Sequence, residues 1–336
     1  MRSAPWHREP LERLMGRRGR MPHALLVSGR PGIGKVDFAR ELARSMLCES
    51  PIDRLSCGQC PSCHWFGQAN HPDYREIVPE SAEEGDGEGG DAPAGKDAGR
   101  KSLVIKIEQI RAIRDFVSLS THRGGHRVIV LHPAESLQPA AANALLKTLE
   151  EPAPATLIVL VSDRPARLLA TIRSRCESLV LRTPARAQAL AWLEAAGTEE
   201  PEAALALAGG APLLAATLAN ALERDWRRRV VAELSRPEGA RALAFAAGFD
   251  RASLENTLFV MQTWVHDLVR LKSAGEPRHH IDSVPALRAK ARRARLERLL
   301  ALDRELLEAR RLVSHPLNAR LVAEHLMMAY NPATLD

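Results

Sequence analysis

The chain has 336 residues, 45% of them hydrophobic and 26% charged, with a formal net charge of +6 at pH 7. That length and balance fit a globular protein of two or three domains, and no apolar run approaches the ~20 residues that span a bilayer. The N-terminal MRSAPWHREPLERL has no apolar signal core, so a cytoplasmic protein is expected, and the modest basic excess leaves nucleic acid or an acidic partner open.

In chain order, HALLVSG (23–29) is a short apolar run closing on glycine, as a buried parallel strand does. GRPGIGK follows, and Gly29, Gly34 and Lys35 match the phosphate-loop pattern G-x-x-x-x-G-K-[ST]. Gly32 and Gly34 let backbone amides converge where a phosphate would sit, ahead of a helix predicted from Val36, Phe38, Ala39, Leu42, Ala43, Met46 and Leu47. The residue after the lysine is Val36, where the pattern needs a hydroxyl to ligate magnesium. Two readings stand at this point: an ATPase with one odd residue, or a loop kept for its turn.

Cys48, Cys57, Cys60 and Cys63 are spaced C-x8-C-x2-C-x2-C, a full tetrahedral shell of thiolates for a structural zinc ion. Gly58 and Pro61 are expected to break helix so that the chain curls around it, while His64 and His71 read as structural. A C-x-x-C redox pair competes, without a thioredoxin-like context to support it. Next, DYREIVP (73–79) predicts a strand, and the Gly-, Ala- and acid-rich stretch 80–101 a flexible, solvated loop.

Ile105, Ile107, Ile110, Ile113, Phe116 and Val117 trace one helix face; RVIVLH (127–132) predicts a strand, and PAAANALLKTLEEP (139–152) a helix stopped by Pro152. An ATPase of this layout needs an Asp and a Glu where RVIVL ends, to hold magnesium and activate water. His132 and Pro133 stand there, and Glu135 is displaced by one turn. With the hydroxyl and both acids missing, hydrolysis is read as lost. TLIVLVS (156–162) predicts a strand, PARLLATIRSRC (165–176) a helix and SLVLR (178–182) a last strand. Alternating strands and helices mean a parallel α/β sheet covered on both faces. Beyond it only Ala-, Leu- and Arg-rich helical patterns appear, the most basic over 287–312, where mixed charge reads as a solvated helix face. The expected domains are 1–164 (α/β, nucleotide-binding type, with the zinc module at 48–63), 165–207 (a small helical lid) and 208–336 (all helical).

GRPGIGK, the four-cysteine insertion, AAANALLKTLEEP and SRC, in this order, resemble the clamp-loader subunits of bacterial DNA polymerase III, of the AAA+ class. The resemblance covers nearly all of the first 180 residues and the helical remainder more loosely. It implies an AAA+ domain, a lid and an α-helical collar domain for oligomerisation. It also implies a role in DNA replication, in a five-subunit assembly with delta and three tau/gamma subunits that opens a sliding clamp and places it on primed DNA. The hydrolysing tau/gamma members carry intact Ser/Thr and Asp-Glu motifs; Val36, His132 and Pro133 are departures that fit the non-hydrolysing member. So is Pro212, in AGGAPLLAA, where ATP-using members place an arginine. ATP hydrolysis by this chain is not expected; whether the degenerate loop of Gly29, Gly32, Gly34 and Lys35 still holds nucleotide passively stays open. The SRC arginine, Arg175, would instead serve as a finger reaching the neighbouring subunit's ATP. The alternatives are an autonomous tau/gamma-type ATPase and a zinc-stabilised DNA-binding protein.

Overall fold

The computed structural model describes residues 4–82, 104–118, 125–236, 241–246, 249–273, 275–313 and 318–334. The expected acidic loop over 80–101 lies outside the described residues from 83 onward; 80–82 form a single 3-10 turn. Two compact units divide the chain, Met1–Thr183 and Pro184–Asp336.

The first unit is built on five parallel strands: β1 (Ala24–Ser28), β2 (Tyr74–Ile77), β3 (Arg127–Leu131), β4 (Thr156–Ser162) and β5 (Glu177–Val180), in the order β2-β3-β4-β1-β5. The interior strands β1, β3 and β4 are buried at every residue. Covered on both faces, they read in sequence as apolar runs without alternation, with polar residues only at the strand ends: Ser28, Arg127, Thr156 and Ser162. The edge strands β2 and β5 are four residues each and partly exposed, and short edges leave little template for pairing with other chains.

Around the sheet lie α1 (Arg8–Met15), α2 (Lys35–Leu47), α3 (Pro61–Gly67), α4 (Ile107–Ser118), α5 (Pro139–Glu150) and α6 (Ala170–Arg173). Helix α2 buries Phe38, Ala39, Leu42, Ala43 and Met46, the stripe its spacing predicted. Two elements differ from the sequence expectation. The helix expected over 165–176 is a 3-10 turn, Pro165–Arg167, followed by the four residues of α6. Leu168 and Leu169 are extended between them. That break sends Leu168 into the core beside Ile172, so tertiary packing overrides local helical pattern. Pro61 does not break a helix but opens α3 at its first position, where its missing N–H costs nothing.

The second unit is helical: α7 (Arg186–Ala195), α8 (Pro201–Leu207), α9 (Pro212–Leu218), α10 (Ala221–Leu234), α11 (Ala242–Phe245), α12 (Arg251–Ser273), α13 (Val284–Arg293), α14 (Leu296–Leu312) and α15 (Ala319–Thr334). Trp264 of α12 and Tyr330 of α15 are fully buried at its centre. The indole N–H donates to the Tyr330 hydroxyl (3.0 Å), which donates to the Leu234 carbonyl (2.8 Å). Pro212 opens α9 as its first residue. Among the described residues no single helix is long and apolar enough to cross a membrane.

Candidate functional site

The glycine loop joins β1 to α2 with Gly32 at φ +76° and Gly34 at φ +83°, left-handed conformations that favour glycine. A Cβ on Gly34 would also stand 2.7 Å from Cε1 of His7. His7 is 1% exposed, and its Nε2 donates to the Ile33 carbonyl at 2.8 Å. The Trp6 indole donates to the same oxygen at 2.9 Å. Burial lowers the His7 pKa, opposed by the Ile33 carbonyl and the Asp37 charge. The N-terminal segment therefore packs directly against the loop, a contact with no signal in the sequence pattern.

Lys35 is 5% exposed, and its Nζ lies 2.5 Å from Asp163 Oδ1 and donates to the Arg30 carbonyl at 2.6 Å. A buried ammonium needs a counter-charge. Here a carboxylate just past the end of β4 supplies it, where a phosphate does so in a working loop. Incoming phosphate must displace Asp163 first. Val36 offers no oxygen at the next position.

At the end of β3, His132 Nε2 lies 2.6 Å from Glu76 Oε1 on β2. Arg40 of α2 reaches the same carboxylate (Nη2, 2.7 Å; Nε, 3.0 Å), and the Tyr74 hydroxyl donates to its other oxygen at 2.8 Å. Where an ATPase gathers magnesium between α2 and β3, this chain has a polar cluster whose carboxylate, Glu76, is taken up by His132, Arg40 and Tyr74. Glu135 does not replace the missing acids: Oε1 accepts the Asp163 amide at 3.1 Å, and Oε2 is buried without a partner. Burial alone would raise the Glu76 pKa, but the hydrogen bonds and charge of His132, Arg40 and Tyr74 outweigh it and hold it at about 2. Because the folded pKa lies below the unfolded one, this stabilisation is present above pH ~5 and disappears as pH falls toward 2. We expect Glu76→Gln to lower unfolding stability by about 3 kcal/mol at pH 7. Denaturant melts of both proteins should converge between pH 4.5 and pH 2; a constant gap would show that charge is not its source.

The four cysteines come together in the first unit. Cys48 Sγ lies 3.6 Å from Cys57 Sγ and 3.9 Å from Cys60 Sγ, and Cys57 Sγ lies 4.0 Å from Cys63 Sγ. All four sulfurs fall within 4.8 Å of one another. None is in a disulfide, and these separations match the ~3.8 Å expected of four thiolates around one ion bonded at ~2.3 Å. The cluster can hold a metal ion. Gly58, at φ +76°, turns the chain so that the amides of Gln59 and Cys60 donate to Cys57 Sγ at 3.5 and 3.3 Å. Those bonds pull the Cys57 pKa down to about 6. Cys60 caps α3, its sulfur accepting the Cys63 amide at 3.4 Å. Burial raises Cys48 and pushes Cys63 up to about 12; a bound cation is what lets buried thiols ionise. His71 is committed elsewhere, with Nε2 2.7 Å from the Ser62 hydroxyl and Nδ1 accepting the Asp73 amide. His64 is not part of the four-sulfur cluster.

Arg175 lies just beyond α6, on the short link to β5. Its Nη2 pairs with Glu150 Oε1 at 2.6 Å and its Nη1 donates to the Thr171 carbonyl at 2.9 Å. The side chain remains 35% exposed. Arg173, the last residue of α6, is exposed.

The family described as DNA polymerase III, delta subunit, matches residues 10–185, more than half of the chain and all of the site just described except Trp6 and His7. The chain belongs to this family. Among curated relatives, the delta' subunit of DNA polymerase III from Pseudomonas aeruginosa is 38% identical over 231 residues. That from Escherichia coli K12 is 35% identical over 234 residues. Each match covers 68% of this chain and 64% of the relative, so the aligned part spans under two thirds of their length. The tau subunit from Salmonella typhimurium is 34% identical over 158 residues, 47% of this chain and 21% of that protein.

Within the family frame, the structure separates the residues singled out from sequence into three places. Gly29, Gly32, Gly34 and Lys35 share one loop, the four cysteines share one cluster after α2, and Arg175 stands at the link between α6 and β5. Pattern reasoning did not find Trp6, His7, Glu76, Arg40, Asp163 or Glu150. For Asp163 a signal existed: an acid immediately after a buried strand adjoining β1.

Proposed function

We propose that this chain is a non-hydrolysing clamp-loader subunit of DNA polymerase III. In the cytoplasm it would assemble with tau/gamma and delta subunits and help place a sliding clamp on primed DNA. Cys48, Cys57, Cys60 and Cys63 would hold one structural zinc ion. Arg175 would be offered to the ATP of a neighbouring subunit. Of the expected lid, 165–207, the part from 184 onward falls within the helical unit, as does the whole expected collar, 208–336. Residues 165–183 go with the sheet, because β5 pairs with β1.

The observation that carries this reading is the closure of Lys35 on Asp163, inside a loop whose neighbouring positions 36, 132 and 133 supply no metal-binding oxygen. Metal, nucleophilic water and phosphate each lack a group they need. ATP chemistry is then left to a partner. The purified chain is expected to show no magnesium-dependent ATP hydrolysis above background, and Val36→Ser is expected to stay equally inactive. Steady turnover by either protein would favour a tau/gamma-type ATPase instead. Purification of the native assembly, with identification of what co-elutes, tests the partners.

A further inference from the structure

The geometry points to Glu150 as a positioning residue for Arg175, joining the KTLEEP and SRC segments into one device. The inference rests on the proposed role of Arg175 as a finger and adds to it a named support. Glu150 is the last residue of α5, where the negative end of the helix dipole disfavours a carboxylate. It is offset there by the Arg175 guanidinium at 2.6 Å. The Thr171 carbonyl, in the last turn of α6, fixes the other terminal nitrogen at 2.9 Å. With two of its five N–H donors held by separate elements, the guanidinium keeps its remaining donors for an acceptor outside the chain.

Arg carries considerable rotamer freedom, and fixing it beforehand lowers what must be ordered when it meets a phosphate. The pair itself is half in solvent, with Glu150 48% exposed, so it contributes little to folding. A weak tether suits this task, since it orients the side chain without holding it back from a more highly charged phosphate. Glu150 does not touch nucleotide in this scheme. It acts through Arg175.

The test uses the assembled loader with clamp and primed DNA, reading kcat and KM for ATP at the neighbouring subunit. Glu150→Ala is expected to lower kcat roughly 3- to 10-fold with KM unchanged, a loss of preorganised orientation. Glu150→Gln, which keeps an acceptor oxygen, should recover most of that loss and also guards against a misfolded alanine variant. Adding Glu150→Ala to Arg175→Ala should lower the rate no further, because the two act in series. If Arg175→Ala slows turnover while Glu150→Ala leaves it unchanged or speeds it, the positioning role is overturned and the finger stands. A raised KM at constant kcat for Glu150→Ala also overturns positioning. Wild-type turnover in Arg175→Ala removes the finger, and the inference with it.

Discussion

Cys60→Ser is expected to release the bound metal and lower the melting temperature of the Met1–Thr183 unit by about 10 °C or more. The four sulfurs join three otherwise separate pieces of chain: Cys48 at the end of α2, Cys57 and Cys60 around the Gly58 turn, and Cys63 inside α3. Structural zinc in isolated fingers is worth roughly 10–16 kcal/mol of apparent binding energy. Here the module hangs from a sheet with its own core, so a smaller part of that reaches global stability. A loss of about 3–5 kcal/mol corresponds to ~10 °C for a unit of this size. Chelation of the wild type should reproduce the shift, expose the remaining thiols and leave the Pro184–Asp336 transition in place. Calorimetry with elemental analysis decides. Freshly purified protein without zinc, or a Cys60→Ser variant melting like wild type, would leave the cluster as ordinary buried cysteines.

How much of this was legible in sequence depended on how local the signal was. Strands β1, β3 and β4 were readable because double burial makes all but their end residues apolar. The cysteine cluster was readable because its ligands lie within sixteen residues, so spacing stands in for geometry. The 165–176 segment was misread because its helical periodicity was real, yet Leu168 had a better place in the core than on a helix. Long-range polar contacts were invisible for a different reason. Lys35 and Asp163 are separated by most of the sheet in sequence, Glu76 and His132 by 56 residues, and nothing in the pattern of either partner names the other. Glu150 and Arg175 were each inside a quoted motif, but only the packing of α5 on α6 shows that they meet.

Arg175→Ala is expected to leave the loader assembled while cutting ATP turnover at the adjacent subunit by ~10³-fold or more, the usual worth of an arginine supplied in trans. Charge develops on the γ-phosphate oxygens as the bond to the leaving group loosens, and a guanidinium donates to those oxygens in a fork. On the proposed function this chain takes no direct part in that reaction through its own loop, where Lys35 is closed on Asp163 and His132 on Glu76. Arg175, by contrast, is partly exposed and already oriented. The rival account is a solvated surface pair, worth about 0–1 kcal/mol and therefore nearly silent in kinetics. Arg173 separates the two, being equally basic, more exposed and two residues away. Arg173→Ala should change turnover less than about twofold, within what an exposed charge contributes. The measurement must isolate the adjacent site, because in the proposed assembly other tau/gamma subunits would keep hydrolysing and mask a thousandfold loss at one of several centres. Near-wild-type rates for both variants at that site would make Arg175 ordinary surface, and the chain's contribution to the loader would then be architectural alone.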